Sequence, residues 1–177
     1  MRNDIERILI SEEELREKVS EMGKKISRDF EGKDPIFVGV LKGCFIFMAD
    51  LMRYVDISCS MDFMSVSSYS GTSSTGAVKI NKDLGEDIEG RHLIIVEDIL
   101  DSGVTLSYLK QYLMVRKPAS ITIATLMDKP ARRKADIYAD YSCFEIPDAF
   151  VVGYGLDYNE RYRNLPYIGV LKPEIYS

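Results

Sequence analysis

The sequence predicts an α/β fold: a twisted, mainly parallel sheet flanked by helices. Three observations carry that expectation. PIFVGVL (35–41), RHLIIVED (91–98) and SITIATLMD (120–128) are strand-length runs that are apolar nearly throughout, the pattern of strands buried on both faces of a parallel sheet. Segments with helical spacing stand between them, so strands and helices alternate along the chain. Finally, 177 residues with 46% hydrophobic content form one domain with enough apolar surface for a core. Neither an internal repeat nor a linker divides residues 1–177.

Taken in order, Ser11-Glu12-Glu13-Glu14 has the form of a capping box, with Ser at the cap and Glu three residues on. Leu15, Val19, Met22, Ile26 and Phe30 follow at spacings of three and four, and Gly32 marks the stop. These positions predict an amphipathic helix. The strand 35–41 enters Lys42-Gly43 and then CFIFMADLMRYV (44–55), which reads as a mostly buried helix. ISCSMDFMSV (57–66) reads as a strand without clean alternation. SSYSGTSSTG (67–76) changes character abruptly: it has nothing to bury, and it is expected to be a loop. VKINKDL (78–84) alternates like a strand. Beyond the strand 91–98, VTLSYLKQYLMVRK (104–117) predicts a helix and 120–128 another strand. ADIYADYSCF (135–144) and AFVVGYGLDY (149–158) are short and strand-like, and IGVLKP (168–173) supplies a last short strand.

Composition excludes several classes of function. A net charge of −5 argues against a general nucleic-acid or membrane-surface protein, which needs a basic face. Cys44, Cys59 and Cys143 are odd in number and form no CxxC pair, so neither a disulfide framework nor a zinc site is expected. MRNDIERILI is too charged for a signal peptide, and no apolar run has the length of a membrane span. A cytoplasmic protein in a reducing compartment is the simplest reading.

The chemistry concentrates in LIIVEDILDSGVTL (93–106). Glu97 and Asp98 stand at the carboxyl end of an apolar strand, where ligands sit in open α/β sheets. Asp101-Ser102-Gly103-Val104-Thr105 then opens a helix, whose first N–H groups suit an anion. The segment lacks the Lys of a Walker loop and the GxGxxG of a dinucleotide site. A sugar phosphate fits both halves: carboxylates for ribose hydroxyls, directly or through Mg²⁺, and a turn for the 5′-phosphate. Read blandly, Asp-Ser-Gly is an ordinary helix cap and Glu97-Asp98 is solvated strand-end charge.

The motif VEDILDSGVTL (96–106) resembles the phosphoribosyl pyrophosphate (PRPP) binding motif of the type I phosphoribosyltransferases. Other segments narrow the resemblance. VGVLKG (38–43) ends a strand with a cation and a helix start, suited to a second anion such as pyrophosphate, or else a solvated turn. LMDKP (126–130) puts Lys129 past a strand end, where it either donates to a carbonyl on a base or is surface charge. Arg132, Arg133 and Lys134 read as a solvated or interface face. FVVGYGLDYNERYRNLP (150–166) offers Phe150 for stacking on a flat heterocycle, Asp157 for a metal and Arg163 as a planar fork for pyrophosphate. In this order the set resembles the hypoxanthine–guanine phosphoribosyltransferases of the short bacterial form, from about residue 8 to 173.

That resemblance implies a type I phosphoribosyltransferase fold with a small hood made from the N- and C-terminal segments. It also implies a mobile lid at about 67–76 that includes Ser68 and Tyr69. It implies transfer of a phosphoribosyl group from PRPP to a 6-oxopurine, giving IMP or GMP and pyrophosphate, with Mg²⁺. In this sequence, Glu97 and Asp98 bind ribose hydroxyls and metal, and Asp101 is the general base near the purine. Ser102, Gly103, Val104 and Thr105 form the 5′-phosphate loop. Lys42, Gly43 and Arg163 bind pyrophosphate, across a cis Leu41–Lys42 peptide. Lys129, Phe150 and the Val151 backbone read the purine, and Asp157 beside it ligates a second Mg²⁺. A homodimer or homotetramer is implied, with no nucleic-acid or membrane partner. Two other classes compete: a PRPP-sensing regulator of the same fold that binds RNA, and a phosphoacceptor receiver domain. The overall charge disfavours the first, and the late position of the acidic pair disfavours the second.

Overall fold

The computed structural model describes residues 1–68 and 78–177. Its elements in order are β1 (Ile5–Ile10), α1 (Glu12–Asp29), β2 (Ile36–Leu41), α2 (Phe45–Met52), β3 (Ser60–Ser68), β4 (Val78–Lys82), β5 (His92–Leu100), α3 (Val104–Met114), β6 (Ser120–Asp128), β7 (Tyr141–Glu145), β8 (Val151–Val152), β9 (Ile168–Leu171) and α4 (Pro173–Tyr176). The expected α/β class is correct. The main sheet has the order β4-β3-β2-β5-β6-β7, parallel throughout except for β4, which runs antiparallel to β3.

Alternation along the strands sorts the core into two layers. Ile36, Val38 and Val40 of β2 join Leu93 and Ile95 of β5 on the α3 side, with Leu106, Leu109 and Leu113. Phe37, Ile94 and Val96 face the other way, onto Leu15, Val19, Met22 and Ile26 of α1 and Phe47, Met48 and Leu51 of α2. Helix α1 begins with the expected capping box: the Glu14 N–H donates to Ser11 Oγ at 3.2 Å, and the Ser11 N–H donates to Glu14 Oε2 at 2.8 Å.

The structure adds one strand and shortens others. IERILI forms β1, which pairs antiparallel with β9, and β9 pairs with β8 in a separate three-stranded sheet. The strand expected over 135–144 begins only at Tyr141, where pairing to Ala124 of β6 starts. The stretch 149–158 keeps only Val151–Val152 as strand, because positive φ angles at Gly153, Tyr154 and Gly155 coil the chain. Of the lid expected at about 67–76, residues 67 and 68 close β3, and the rest, Tyr69 included, lies outside the described residues.

One feature of this topology opens a site. β2 and β5 pair only from Ile36↔Leu93 to Gly39↔Val96. Beyond Val96, β5 runs on beside β6 as far as Leu100↔Asp128, while β2 continues beside β3 to Leu41↔Ser65. The two central strands therefore part at their carboxyl ends. Chain connections reverse direction across the sheet at the same place, the usual position of a ligand crevice.

Candidate active site

Glu97 and Asp98 are the first two residues beyond the point where β2 and β5 part. They are therefore inside β5 rather than after it, since the ladder to β6 continues through Leu100. Losing β2 as a neighbour turns this stretch of β5 toward a cleft of about 280 Å³, lined by Leu41, Gly43, Glu97, Asp98, Asp101, Ser102, Gly103 and Thr105. Burial pushes the Glu97 carboxyl well above its ordinary range, and the neighbouring Asp98 charge adds to this. Burial also raises Asp98, to about 6, although the Ile99 N–H and the Arg163 charge oppose the shift. The Ile99 N–H donates to Asp98 Oδ1 at 2.7 Å.

Gly103 caps α3 with φ +78° and no side-chain cap. A Cβ there would lie 2.5 Å from Ile137 Cγ2, so both the conformation and the close approach call for glycine. Helix α3 presents the N–H groups of its first turn, which have no intrahelical partner; that of Val104 meets Ser102 Oγ at 3.4 Å. Val104 does not line the cleft and is 41% exposed. The loop is held by Arg133, whose Nε donates to Asp101 O at 3.0 Å, Nη2 to Leu100 O at 3.3 Å and Nη1 to Ile137 O at 2.7 Å. Its guanidinium also pairs with Asp128. Of the solvated or interface face expected at 132–134, Arg132 and Lys134 are exposed, and only Arg133 departs from it. Arg133 is internal, and Arg132 reaches Asp148 at 3.2 Å and Asp101 at 3.5 Å.

A second cavity, of about 440 Å³, is lined by Ile99, Asp101, Lys129, Phe150, Val151, Leu156, Asp157 and Tyr176, among others. Asp101 and Ile99 belong to both cavities. Asp101 Oδ1 is closed off from solvent and accepts no hydrogen bond from the described residues. Lys129 is 6% exposed; its Nζ donates to Ala149 O at 3.0 Å and lies 3.8 Å from Asp148 Oδ1. The alternative of surface charge therefore falls away.

Lys42 and Arg163 converge through an unforeseen residue, Glu160. Lys42 Nζ is 3.0 Å from Glu160 Oε2, and Arg163 Nη2 is 3.3 Å from Glu160 Oε1 and 3.0 Å from Asp157 Oδ1. Arg163 Nη1 donates to Gly155 O at 2.7 Å, while Nε has no partner among the described residues. The Leu41–Lys42 peptide is cis. Glu97 and Asp98 share the first cleft, while Asp157, expected to hold a second ion, pairs with Arg163 and lines the second.

Ile99, Leu156, Glu160 and Tyr176 are site residues that the sequence reading did not single out. Ile99 could have been found from its place between the two acids and Asp101. Tyr176 carries no local signal.

A model of the phosphoribosyl transferase domain matches residues 7–159. The hypoxanthine-guanine phosphoribosyltransferase of Bacillus subtilis (strain 168) is 59% identical over 178 residues, covering 100% of this chain and 99% of that protein. The hypoxanthine-guanine phosphoribosyltransferase of Streptococcus pneumoniae (strain ATCC BAA-255 / R6) is 53% identical with the same coverage. A solved hypoxanthine phosphoribosyltransferase from Staphylococcus aureus matches with a TM-score of 0.96 at 53% identity, over 100% of this chain and 97% of that one.

Proposed function

The chain belongs to the phosphoribosyl transferase domain family, among its hypoxanthine-guanine phosphoribosyltransferases, and we propose on that basis that it transfers the 5-phosphoribosyl group of PRPP to hypoxanthine or guanine. The products are IMP or GMP and pyrophosphate, and the role is purine salvage. The observation that carries the reading is the shared wall: Asp101 lines both the acidic cleft and the cavity of Lys129 and Phe150. A base in the second cavity and a ribose in the first would meet beside that carboxylate.

The residue roles follow from this placement. Glu97 and Asp98 accept the ribose hydroxyls, and the 102–105 turn takes the 5′-phosphate through backbone N–H groups and the hydroxyls of Ser102 and Thr105. Lys129 donates to the 6-oxo group, Phe150 stacks on the ring, and the Val151 backbone reads its edge. Asp157 supports this side of the pocket and holds Arg163. In the reaction the anomeric C–O bond to pyrophosphate breaks and a C–N bond to the purine forms. The purine proton passes to Asp101, whose Oδ1 accepts no hydrogen bond from the described residues and lies 3.5 Å from Arg132 Nε. Lys42 and Arg163 leave Glu160 to meet the charge developing on pyrophosphate.

The chemistry of the donor set fits Mg²⁺. Glu97 and Asp98 are adjacent hard-oxygen donors whose burial disfavours charge without a cation, and no third protein ligand joins them among the described residues. A magnesium ion taking one or two carboxylates and completing its shell with substrate oxygens and water suits such a site. When bound, it supplies charge neutralisation at the leaving group; Asp157 is the candidate to hold a second ion.

The wider reading is a single domain, with the β1-β9-β8 sheet as a hood. An assembly of two or four copies belongs to the same reading. No described helix is long and apolar enough to cross a membrane, and three free cysteines suit a reducing cytoplasm. The test is nucleotide formation from PRPP and Mg²⁺ with hypoxanthine, guanine, xanthine or adenine offered singly. IMP and GMP are the expected products; no PRPP-dependent product from any base would overturn the reading.

A further inference from the structure

Phe150 does not stand alone in the second cavity. The Tyr176 ring lies parallel to it, with centroids 4.5 Å apart and an interplanar angle of 16°. Tyr158 meets it edge-on at 5.5 Å and 87°. Tyr176 also lines the cavity that Phe150 shares with Lys129, Ile99 and Asp157. Core burial does not account for its position, since the residue is 37% exposed. Its neighbour Ile175 explains how it is held: Ile175 packs on the cluster of Val152, Leu165 and Leu171, and its N–H donates to Lys172 O at 3.0 Å. Lys172 in turn donates its N–H to Asp4 O at 2.9 Å, tying the one-turn helix α4 to the chain before β1. The anchored residue is Ile175, and the consequence is a ring laid on Phe150.

We propose that Tyr176 is a base-positioning residue: its ring fixes the plane of Phe150 and extends the aromatic wall against which the purine stacks. This rests on the transferase reading above and adds to it a determinant of base affinity from the last helix. The interaction is through the ring, since the Tyr176 hydroxyl makes no hydrogen bond among the described residues. Tyr176 lies outside the lining of the acidic cleft, so its effect belongs to the base and not to PRPP.

The experiment compares wild type, Tyr176→Phe and Tyr176→Ala by steady-state kinetics with hypoxanthine and PRPP varied in turn. Direct titration of each protein with IMP runs alongside. Tyr176→Ala is expected to raise KM for hypoxanthine and Kd for IMP about 3–10-fold, the range an aromatic pair supports, leaving KM for PRPP and kcat within about 2-fold. Tyr176→Phe is expected to match wild type. An unchanged hypoxanthine KM in Tyr176→Ala would overturn the assignment. A lowered KM would also overturn it, because the ring would then be occupying the place of the base. Parallel changes in both KM values would mark a fold defect and overturn it as well. Inactive wild type would remove the transferase reading and the Tyr176 role together, whereas active wild type with an indifferent Tyr176→Ala would remove only the latter.

Discussion

Gly43 and Asp98 fit together without room for one more atom. A Cβ on residue 43 would overlap Asp98 Oδ2 and come within 2.7 Å of its Cγ. Asp98 is not free to withdraw, because its other oxygen accepts the Ile99 N–H. On the far side, the Gly43 carbonyl is pressed against Gly155, where a Cβ would collide with it. Gly43→Ala is therefore expected to displace the Asp98 carboxylate. The expected result is a KM for PRPP raised by about 10-fold or more and a stability loss of about 1–3 kcal/mol, as for other overpacked sites. Steady-state kinetics and urea unfolding read the two effects, and normal values for both would show that the loop yields freely.

Asp101→Asn keeps the shape of the wall between the two cavities and removes its capacity to take a proton. We predict that kcat falls by about 10²–10⁴-fold, the usual worth of a positioned general base. The dissociation constant for PRPP should stay within about 2-fold. Near-normal turnover in this variant would remove Asp101 from the base role.

Lys129 is the buried cation of the base cavity, held by Ala149 O. Lys129→Ala should raise KM for hypoxanthine by more than 10-fold, in line with loss of a charge-assisted hydrogen bond worth about 1.5–3 kcal/mol. KM for PRPP should hold. Equal loss for both substrates would mean that the lysine supports the fold and not the base.

The acidic pair gives the ligand-free protein an inverted pH dependence. The folded Asp98 carboxyl is raised from 3.8 to about 6 by burial, so between these values the folded state binds more protons than the unfolded chain. Stability from this group is accordingly present below about pH 4, and it is lost as pH rises through about 6. At 1.36 kcal/mol per unit the loss is at most about 3 kcal/mol. Solvent screening at the cleft mouth brings it to about half of that. With a chelator present, the wild type should melt higher at pH 5 than at pH 7.5, relative to Asp98→Asn measured in the same way. A wild-type profile that ran parallel to the variant's would show that Asp98 is not raised.

The chemistry of the site was easier to read in the sequence than its supports. β6 matches its apolar run, SITIATLMD, residue for residue, because a doubly buried strand writes its own pattern. Glu97, Asp98 and Asp101 stood out because charge beside such a run is anomalous. β1 did not stand out: three of its six residues face solvent, and its partner β9 lies at the other end of the chain. Arg133 resembled any exposed arginine. The acceptors that consume it are mostly backbone carbonyls, at Leu100, Asp101 and Ile137, and carbonyls leave no mark in a sequence. Glu160 and Tyr176 failed for a related reason, since each acts through a fold-made neighbour.

The grip of Arg133 has a thermodynamic meaning. A loop that waited for its phosphate before taking shape would spend part of the binding free energy on ordering several backbone residues, at roughly 1–2 kcal/mol each. Here a single guanidinium already fixes the carbonyls of Leu100 and Asp101 on one side of the turn and that of Ile137 behind it. Part of that ordering is in place before any ligand arrives. A smaller share of the binding free energy then goes to ordering residues 100 and 101, and more of it appears as affinity for the phosphate.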